Sequence, residues 1–209
     1  FQRFTIHTPK QKVVFDAHEP FLYTTTRPAL GAFLAKRAKK AGAEIRTEAP
    51  VQNISDDTIT VHGEPIHFSH LIGADGAASV VRKQLGLKVE GCHQAFQYII
   101  PKRIKEIELF VDAKKFGPGY AWIFPYEKTC SVGAGTDLAT PVQKRYPAAA
   151  VRARFFQWFD ERFPDAEKEF QAFTISYDYK GHAFGNKFLI GDAGGFSSSF
   201  TGEGIYQAL

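Results

Sequence analysis

The spacing of apolar and polar residues in the first quarter of the chain predicts a hairpin, a helix and a strand. Residues 3–16 alternate in short apolar and polar steps on either side of Pro9, which is typical of a β-hairpin. Apolar residues then recur at helical spacing from Leu30 to Ala41, after a run of threonines suited to capping. Gly42 suits the end of this helix. Residues 43–47 have the alternation of a strand that follows it.

Between residues 51 and 86 the pattern predicts small strands and one short helix. Residues 51–68 contain short strand patterns broken by turn residues, which indicates an antiparallel meander. Residues 70–74 form an apolar run that enters a glycine turn, as a buried strand does. Residues 79–85 have helical spacing, and Gly86 after them favours a helix end.

The rest of the chain predicts an antiparallel sheet with helices and then a return to a buried strand. Strand patterns occupy residues 96–100, 106–111, 121–124 and 129–133. An amphipathic helical region is predicted over residues 141–170, a strand over 174–179 and a last buried strand over 188–190. The whole pattern predicts an α/β (α+β) fold. In it, an α/β layer from both ends of the chain is interleaved with an antiparallel sheet from the middle.

Charge and cysteine content exclude several classes of function. The net charge is +4, and no cluster of Lys and Arg is dense enough to predict a nucleic-acid partner. The densest basic group, within residues 36–40, lies on a predicted helix. A solvated face is the first interpretation there, and peripheral contact with anionic lipid headgroups is the second. Cys92 and Cys130 lie far apart and predict neither a disulfide framework nor a metal site. A reducing, cytoplasmic setting is therefore expected. No apolar run reaches the ~18 residues of a membrane-spanning helix, so no such helix is predicted.

A first candidate ligand site follows the strand predicted over residues 70–74. Gly73, Asp75 and Gly76 form a tight turn that leads into the helix beginning near Ser79. The glycines permit close approach to the backbone, and the free N–H groups of a helix N-terminus attract phosphate. Asp75 has the chemistry to accept a hydrogen bond from a ligand hydroxyl or to orient the turn. An ordinary turn with an aspartate cap explains the same residues equally well.

A second candidate site follows the strand predicted over residues 188–190. Gly191 and Asp192 end this strand, and Gly202 and Gly204 enter the next helix. The carboxylate suits a ribose or ribityl hydroxyl, and a Gly-x-Gly sequence lets a ring or phosphate press on the backbone. One glycine-rich turn is weak evidence. Two Gly-Asp turns, each after a buried strand, are much harder to explain by chance.

The two turns together resemble motifs of the flavoprotein hydroxylase superfamily. Residues 73–82 resemble its Asp-Gly fingerprint, and residues 191–204 resemble its Gly-Asp flavin-binding motif. The resemblance implies bound FAD, with Asp75 near the pyrophosphate or the nicotinamide cofactor and Asp192 on the ribityl chain. Arg27 matches a basic position near the FAD, although helix capping or a surface role explains it as well. The implied cofactor-binding residues are Arg27, Gly73, Asp75, Gly76, Gly191, Asp192, Gly202 and Gly204.

A third motif identifies one branch of that superfamily. The segment Tyr120-Ala121-Trp122-Ile123-Phe124-Pro125 is followed after seven residues by Gly133-Ala134-Gly135. It resembles the Tyr-x-Trp-x-Phe-Pro…Gly-x-Gly signature of the geranylgeranyl reductase family. Alternate residues place three large rings on one face of a strand, which suits an apolar chain, although plain sheet core explains alternating aromatics too. The substrate-binding residues that the resemblance implies are Tyr120, Trp122, Phe124, Pro125, Gly133 and Gly135.

The family resemblance implies an activity and an arrangement of domains. It implies an FAD-dependent oxidoreductase that reduces C=C bonds of a geranylgeranyl or related isoprenoid chain, with NAD(P)H or another reductant as electron donor. A Rossmann-like FAD-binding domain would comprise residues 25–90 and 181–209. An antiparallel-sheet substrate domain would comprise residues 91–180, with residues 1–24 as part of it. The family's first βαβ phosphate loop, Gly-x-Gly-x-x-Gly, is missing. We therefore expect that an N-terminal segment is lost or lies on another chain, and that the last helix is cut short.

Two other functions stay open at this point. A flavin-dependent monooxygenase or halogenase has the same fold, and halogenases carry a related Trp-x-Trp-x-Ile-Pro motif. The missing phosphate loop also leaves room for a non-catalytic lipid-binding fragment. Cys130 is a candidate proton donor near a flavin, although a small core residue is the better interpretation. Neither a catalytic residue nor an oligomeric state is indicated.

Overall fold

The computed structural model describes residues 1–208, apart from the side chain of Thr140. In chain order the strands are β1 (Arg3–His7), β2 (Lys12–Asp16), β3 (Val51–Ile54), β4 (Thr58–Val61), β5 (Glu64–His67), β6 (Leu71–Gly73), β7 (Cys92–Ile100), β8 (Ile107–Phe110), β9 (Ala121–Pro125), β10 (Cys130–Asp137), β11 (Glu169–Ser176), β12 (Ala183–Phe184) and β13 (Lys187–Leu189). The helices are α1 (Arg27–Lys40), α2 (Val80–Gln84), α3 (Ala113–Phe116), α4 (Thr140–Arg145), α5 (Ala148–Arg162), α6 (Gly191–Gly194) and α7 (Ile205–Ala208).

The chain divides into two compact units, each formed by two separate stretches of sequence. The first unit comprises Phe1–Thr26 and His93–Thr174, and the second comprises Arg27–Cys92 and the residues from Ile175 onward. The α/β fold with an antiparallel sheet, predicted from the sequence, is confirmed. Which unit binds a cofactor and which binds a substrate stays a prediction.

The first unit is built on a seven-stranded sheet in the order β11-β7-β10-β9-β8-β1-β2. The predicted hairpin is strands β1 and β2, and β1 runs parallel to β8. Strand β10 is antiparallel to both β7 and β9, so that Gly133 lies between Gln97 and Trp122. This register decides which side chains share a face of the sheet, because directly paired residues point to the same side.

Helix α5 covers one face of this sheet. Its apolar residues Val151, Phe155, Trp158 and Phe159 recur at helical spacing and are buried. They pack in one core cluster with Cys130, Val132 and Ala134 of strand β10. Because neighbouring residues of a strand point to opposite faces, the other residues of β10, from Ser131 to Gly135, lie on the face away from α5.

The second unit contains two three-stranded sheets, ordered β12-β13-β6 and β3-β4-β5. The second of these is the meander predicted over residues 51–68. Strands β6 and β13 are parallel neighbours, with Gly73 opposite Leu189. Their carboxyl ends therefore meet at one edge of the sheet, which is where ligands bind in sheets of this kind. Each of the two predicted Gly-Asp turns begins at that edge.

Three predictions for individual elements are wrong. Residues 43–47 pair with no strand of the described chain, and an alternating pattern alone gives a segment no ladder partner. The helical region predicted over residues 141–170 is broken at Pro147 and ends at Arg162, because Pro164 disfavours helix in the residue before it. The strand predicted over residues 174–179 is β11, which begins earlier, at Glu169.

Strand β6 forms where it was predicted but is less buried than expected. Only Gly73 is buried, and the side chain of Ile72 is 60% exposed. The reason is that β6 is an edge strand of its sheet. Within residues 1–208, no helix is both long enough and apolar enough to cross a membrane.

Candidate functional site

The first turn, Gly73–Ser79, joins strand β6 to helix α2, and the two elements pack closely against each other. A Cβ atom on Gly73 would lie 2.8 Å from Cβ of Val81 and 2.9 Å from Cδ2 of Leu189. Atoms this close are in steric conflict, so only glycine lets helix α2 and strand β13 pack here. The glycine that the sequence selected as a cofactor contact therefore also has a packing role.

Asp75 caps the helix that follows the first turn. Its carboxylate Oδ2 accepts hydrogen bonds from the backbone N–H of Val80 at 2.7 Å and of Val81 at 3.4 Å. Gly76 supplies the left-handed backbone of the turn, with φ of +77°, and open space lies beside it. The capping role that the sequence left open for Asp75 is thus present. It leaves the carboxylate exposed to solvent.

The second turn, Gly191–Gly195, brings together residues that are distant in the motif. Oδ1 of Asp192 accepts a hydrogen bond from Oγ of Ser197 at 2.6 Å. A Cβ atom on Gly204 would lie 2.3 Å from that Oγ and 3.5 Å from Oδ1 of Asp192. The Gly-rich entry to helix α7 therefore rests directly on the Asp192–Ser197 pair. We call this arrangement of Asp192, Ser197 and Gly204 the aspartate cradle.

Arg82 connects the two turns, a role that the sequence motif containing it did not predict. Its guanidinium group is buried, donates through Nη1 to the carbonyl of Ala193 at 3.3 Å, and donates through Nη2 to Oδ2 of Asp178 at 3.0 Å. The backbone carbonyls of Lys88 and Asp178 accept further bonds from Nη2. Arg82 closes the first motif and Ala193 lies in the second turn. The two motifs are therefore held together by one side chain.

Asp178 supports the second turn from the other side. A Cβ atom on Gly195 would lie 2.4 Å from the carbonyl carbon of Asp178, and φ of Gly195 is +73°. The turn thus presses on the backbone of the residue that Arg82 binds. No pattern in the sequence indicates this role for Asp178. The distance of 96 residues between Arg82 and Asp178 left no signal that would have paired them.

Each turn has an open pocket beside it. A pocket of about 370 Å³ adjoins the first turn and is lined by apolar side chains of β3 and β6 together with Asp75. Another of about 370 Å³ adjoins the second turn and is lined by Tyr177, Tyr179, Gly195, Phe196, Ser197 and Ser199. Both pockets are open to solvent and combine apolar walls with a few polar groups.

The third motif forms an aromatic face on the first unit, composed of Tyr120, Trp122 and Phe124. The ring of Trp122 stacks on that of Phe124 at a centroid distance of 5.8 Å, and Tyr120 meets it edge-on at 6.0 Å. Trp122 pairs with Gly133 across strands β9 and β10, so these rings lie on the face away from helix α5. Pro125 is buried at the end of strand β9.

The two glycines of the third motif have different surroundings. A Cβ atom on Gly133 would lie 2.3 Å from Cζ2 of Trp122 and 2.7 Å from the carbonyl oxygen of Phe96. A Cβ atom on Gly135 would meet nothing closer than 3.8 Å. The indole ring therefore lies flat on Gly133, whereas a side chain at Gly135 would meet only ordinary van der Waals contacts.

Burial changes the acidity of two groups near the aromatic face. It raises the pKa of the Tyr120 phenol above its usual value. It raises the pKa of the Cys130 thiol to about 12. Cys130 is fully buried in the cluster beneath helix α5, on the opposite face from Trp122. The thiol is therefore a core group, as the better of its two sequence interpretations held.

The remaining candidates lie where the sequence suggested, without close partners that assign a role. Arg27 is exposed and begins helix α1 in the second unit. Gly202 has φ of +70° in the loop ahead of helix α7, and its N–H donates to the carbonyl of Ser198 at 2.9 Å. Among the described residues, no group of three or more His, Cys, Asp or Glu side chains has the geometry of a metal site.

Relatives of this chain include reductases of isoprenoid compounds. It is 26% identical to a digeranylgeranylglycerophospholipid reductase of Methanocella arvoryzae, over 84% of this chain and 49% of that protein. It is 29% identical to a chloroplastic geranylgeranyl diphosphate reductase of Oryza sativa subsp. japonica, over 91% of this chain and 46% of that protein. The chain thus spans about half the length of the relatives that it matches.

Solved structures show the same fold. A geranylgeranyl bacteriochlorophyll reductase-like protein from Thermoplasma acidophilum superposes with a TM-score of 0.81 at 18% identity, covering 99% of this chain and 58% of that one. The flavin-dependent brominase Bmp2 superposes with a TM-score of 0.72 at 15% identity, covering 99% and 58%. The family model of the FAD binding domain matches residues 3–208, nearly the whole chain. This chain therefore belongs to the FAD binding domain family.

Proposed function

We propose that this protein is an FAD-dependent oxidoreductase that reduces C=C bonds of a geranylgeranyl or related isoprenoid chain. The observation that carries the cofactor assignment is the aspartate cradle in the second turn, together with the first turn at the same edge of the sheet. Membership of the FAD binding domain family supports the same cofactor. The names of the reductase relatives favour an isoprenoid or isoprenoid-lipid substrate.

The residues of the second unit fit FAD on geometric grounds. Asp192 is half-buried, and one carboxylate oxygen is held by Ser197, which restrains the group. The carboxylate would accept a charge-assisted hydrogen bond from a ribityl hydroxyl of bound FAD. Gly191 and Gly202 have positive φ and no backbone packed against them, so their lack of side chains allows close approach to the backbone. When bound, FAD supplies the hydride chemistry, which no side chain of the protein provides.

The aromatic face of the first unit suits a long apolar substrate. Its three rings form one apolar surface, in which Trp122 stacks on Phe124 and Tyr120 stands edge-on to it, and Gly133 beneath Trp122 holds the indole in one plane. Such a surface excludes water and orients an isoprenoid chain without requiring a polar anchor. In this proposal Tyr120, Trp122 and Phe124 position the substrate. NAD(P)H or another reductant is the electron donor.

The first experiment measures the absorption spectrum of the purified protein and its uptake of added FAD. A flavin band near about 450 nm, released as FAD on denaturation, is the expected result. Asp192→Asn should weaken FAD binding about tenfold or more, because it removes a charge-assisted hydrogen bond. Asp165→Asn, an equal charge change at an exposed residue of the first unit, should leave FAD affinity unchanged and serves as the matched control.

The second experiment separates reduction from the chemistry of the halogenase neighbours. The flavin-loaded protein is reduced without oxygen and given a geranylgeranyl lipid, and mass spectrometry follows the gain of two hydrogens per double bond. Reduced product under these conditions supports the proposal. Consumption of oxygen with halogenation of an aromatic acceptor, and no reduced lipid, would contradict it. A colourless protein that binds the lipid but no FAD would instead favour a lipid-binding role.

A further inference from the structure

A chain of side-chain hydrogen bonds runs from the aromatic face to the edge of the large sheet. Nε1 of Trp122 donates to Oγ of Ser131 at 2.9 Å, and that hydroxyl donates to Oε1 of Gln97 at 2.7 Å. Nε2 of Gln97 donates to Oε1 of Gln171 at 2.8 Å, and Gln171 donates to Glu169 at 2.9 Å. The chain therefore crosses four neighbouring strands, β9, β10, β7 and β11.

The two ends of this chain fix the direction of every bond in it. The indole N–H of Trp122 can only donate, and the carboxylate of Glu169 can only accept. Ser131 is fully buried and has one proton, so it must accept from Trp122 and donate to Gln97. Bonds aligned in one direction polarise one another and strengthen the series, and the bond from Trp122 to Ser131, at its inner end, is buried away from water.

The ring of Trp122 is thereby restrained at two points. Gly133 provides the surface on which the ring lies, and Ser131, two residues earlier on the same face of β10, holds its nitrogen. A flat contact alone permits the ring to slide or turn in its plane, whereas a hydrogen bond at one corner prevents this. Core packing does not require a polar series here, because apolar side chains of similar volume fill sheet faces equally well.

We propose that Ser131 and Gln97, supported by Gln171, are positioning residues that set the orientation of the Trp122 ring. Through it they set how an apolar chain lies on the aromatic face and which of its double bonds is presented for reduction. The effect on the substrate rests on the proposed function, whereas the effect on the orientation of the Trp122 ring does not. Ser131 acts through Trp122 and makes no contact with the reacting atoms.

The orientation is tested by NMR on the flavin-loaded protein with ¹⁵N-labelled tryptophan. The chain has two tryptophans, and Trp158→Phe assigns the Trp122 indole signal while keeping an aromatic ring in the core. Ser131→Ala and Gln97→Met should shift the Trp122 indole proton upfield and speed its exchange with solvent about five- to tenfold, the typical effect of one hydrogen bond. Gln97→Glu keeps the acceptor for Ser131 and should retain most of the native shift.

Ser176→Ala is the matched control for loss of a hydroxyl. Ser176 is as buried as Ser131, on the same sheet, but its Oγ has no hydrogen-bond partner among the described residues. This variant should leave the Trp122 signal unchanged. If Ser131→Ala also leaves the shift and the exchange rate unchanged, the positioning role is refuted, whatever the protein's activity.

The consequence for substrate is read from the products of isoprenoid reduction. Ser131→Ala should lower kcat about five- to tenfold with little change in KM, since most of the apolar contact is kept and only its geometry is lost. It should also spread reduction over more of the double bonds. An altered Trp122 signal with unchanged kcat and unchanged products would overturn the specificity role. If neither native protein nor variant reduces the isoprenoid, the proposed function fails while the NMR result still decides the positioning role.

Discussion

Substitution of the two glycines beneath and beside Trp122 provides a direct test of the aromatic face. Gly133→Ala would place a methyl group 2.3 Å from Cζ2 and 2.5 Å from Cε2 of Trp122, and 2.7 Å from the carbonyl oxygen of Phe96. Relaxed carbon contacts are about 3.5–4.0 Å, so the indole ring must move by roughly 1 Å or more. The carbonyl belongs to the backbone of strand β7 and cannot rotate away.

The expected cost follows from these distances. Overpacking of a buried site costs about 1–3 kcal/mol, and occasionally more. Replacing glycine by alanine in extended backbone restores about 0.4–1 kcal/mol through the unfolded chain. The net loss for Gly133→Ala is therefore about 1–2 kcal/mol, which corresponds to a fall in Tm of about 2–8 °C for a protein of this size. Gly135→Ala meets only ordinary contacts and should cost nothing or stabilise slightly.

Urea unfolding followed by far-UV circular dichroism gives the free energy of unfolding of both variants. Near-UV circular dichroism reports the environment of the Trp122 ring in the folded state. Gly133→Ala should lower the free energy of unfolding and alter the near-UV spectrum. Gly135→Ala should not lower the free energy of unfolding and should leave the near-UV spectrum unchanged. Loss of the same free energy by both variants, within about 0.5 kcal/mol, would refute the claim that the indole rests on Gly133.

Three further predictions concern buried or capping groups. Arg82→Met should cost about 3–5 kcal/mol in urea unfolding, because it removes the buried charge partner of Asp178 and leaves only the more exposed Lys180, at 3.4 Å, beside that carboxylate. Adding Asp178→Asn should recover part of that loss, and strict additivity would contradict the pairing. Burial raises the pKa of Cys130 from 9.0 to about 12, so the free energy of unfolding should fall as pH rises between those values. Cys130→Ala should remove that part of the slope, and an unchanged slope would show that the thiol is not responsible. Asp75→Ala should lower the free energy of unfolding by about 1 kcal/mol through loss of its hydrogen bonds to the first turn of helix α2, where Ser79 remains as the N-cap, and an unchanged free energy would show that these bonds add no stability.

The sequence predicted the elements that depend on local pattern and failed where a distant partner decides. The hairpin of β1 and β2, the helix α1 and the meander of β3–β5 all follow from spacing and turn residues. Residues 43–47 have a strand pattern but no partner, and strand formation depends on pairing rather than on alternation. The late start predicted for β11 has a similar origin, because its alternation near Thr174 says nothing of where the pairing with β7 begins.

The separate motifs of the candidate site were predictable from the sequence, but their positions relative to one another were not. Two Gly-Asp turns can be found from glycines that follow apolar runs, and the structure places both at one edge of a sheet because β6 and β13 are parallel neighbours. Nothing local in the sequence indicates that adjacency. The hydrogen bonds from Trp122 to Gln171 were equally hidden, since serine and glutamine within strand patterns look like ordinary polar positions.

Arg82 makes the geometry of one turn depend on the other. Its guanidinium binds the carbonyl of Ala193 and also holds Asp178, whose backbone contacts Gly195. Helix α2 cannot shift without moving the second turn, and a bound ligand that orders one turn therefore stabilises the other. Substitution of Arg82 should consequently lower both FAD affinity and the free energy of unfolding. Asp192→Asn should lower FAD affinity with a much smaller effect on unfolding, because Asp192 lies in the cradle and not in the connection between the turns.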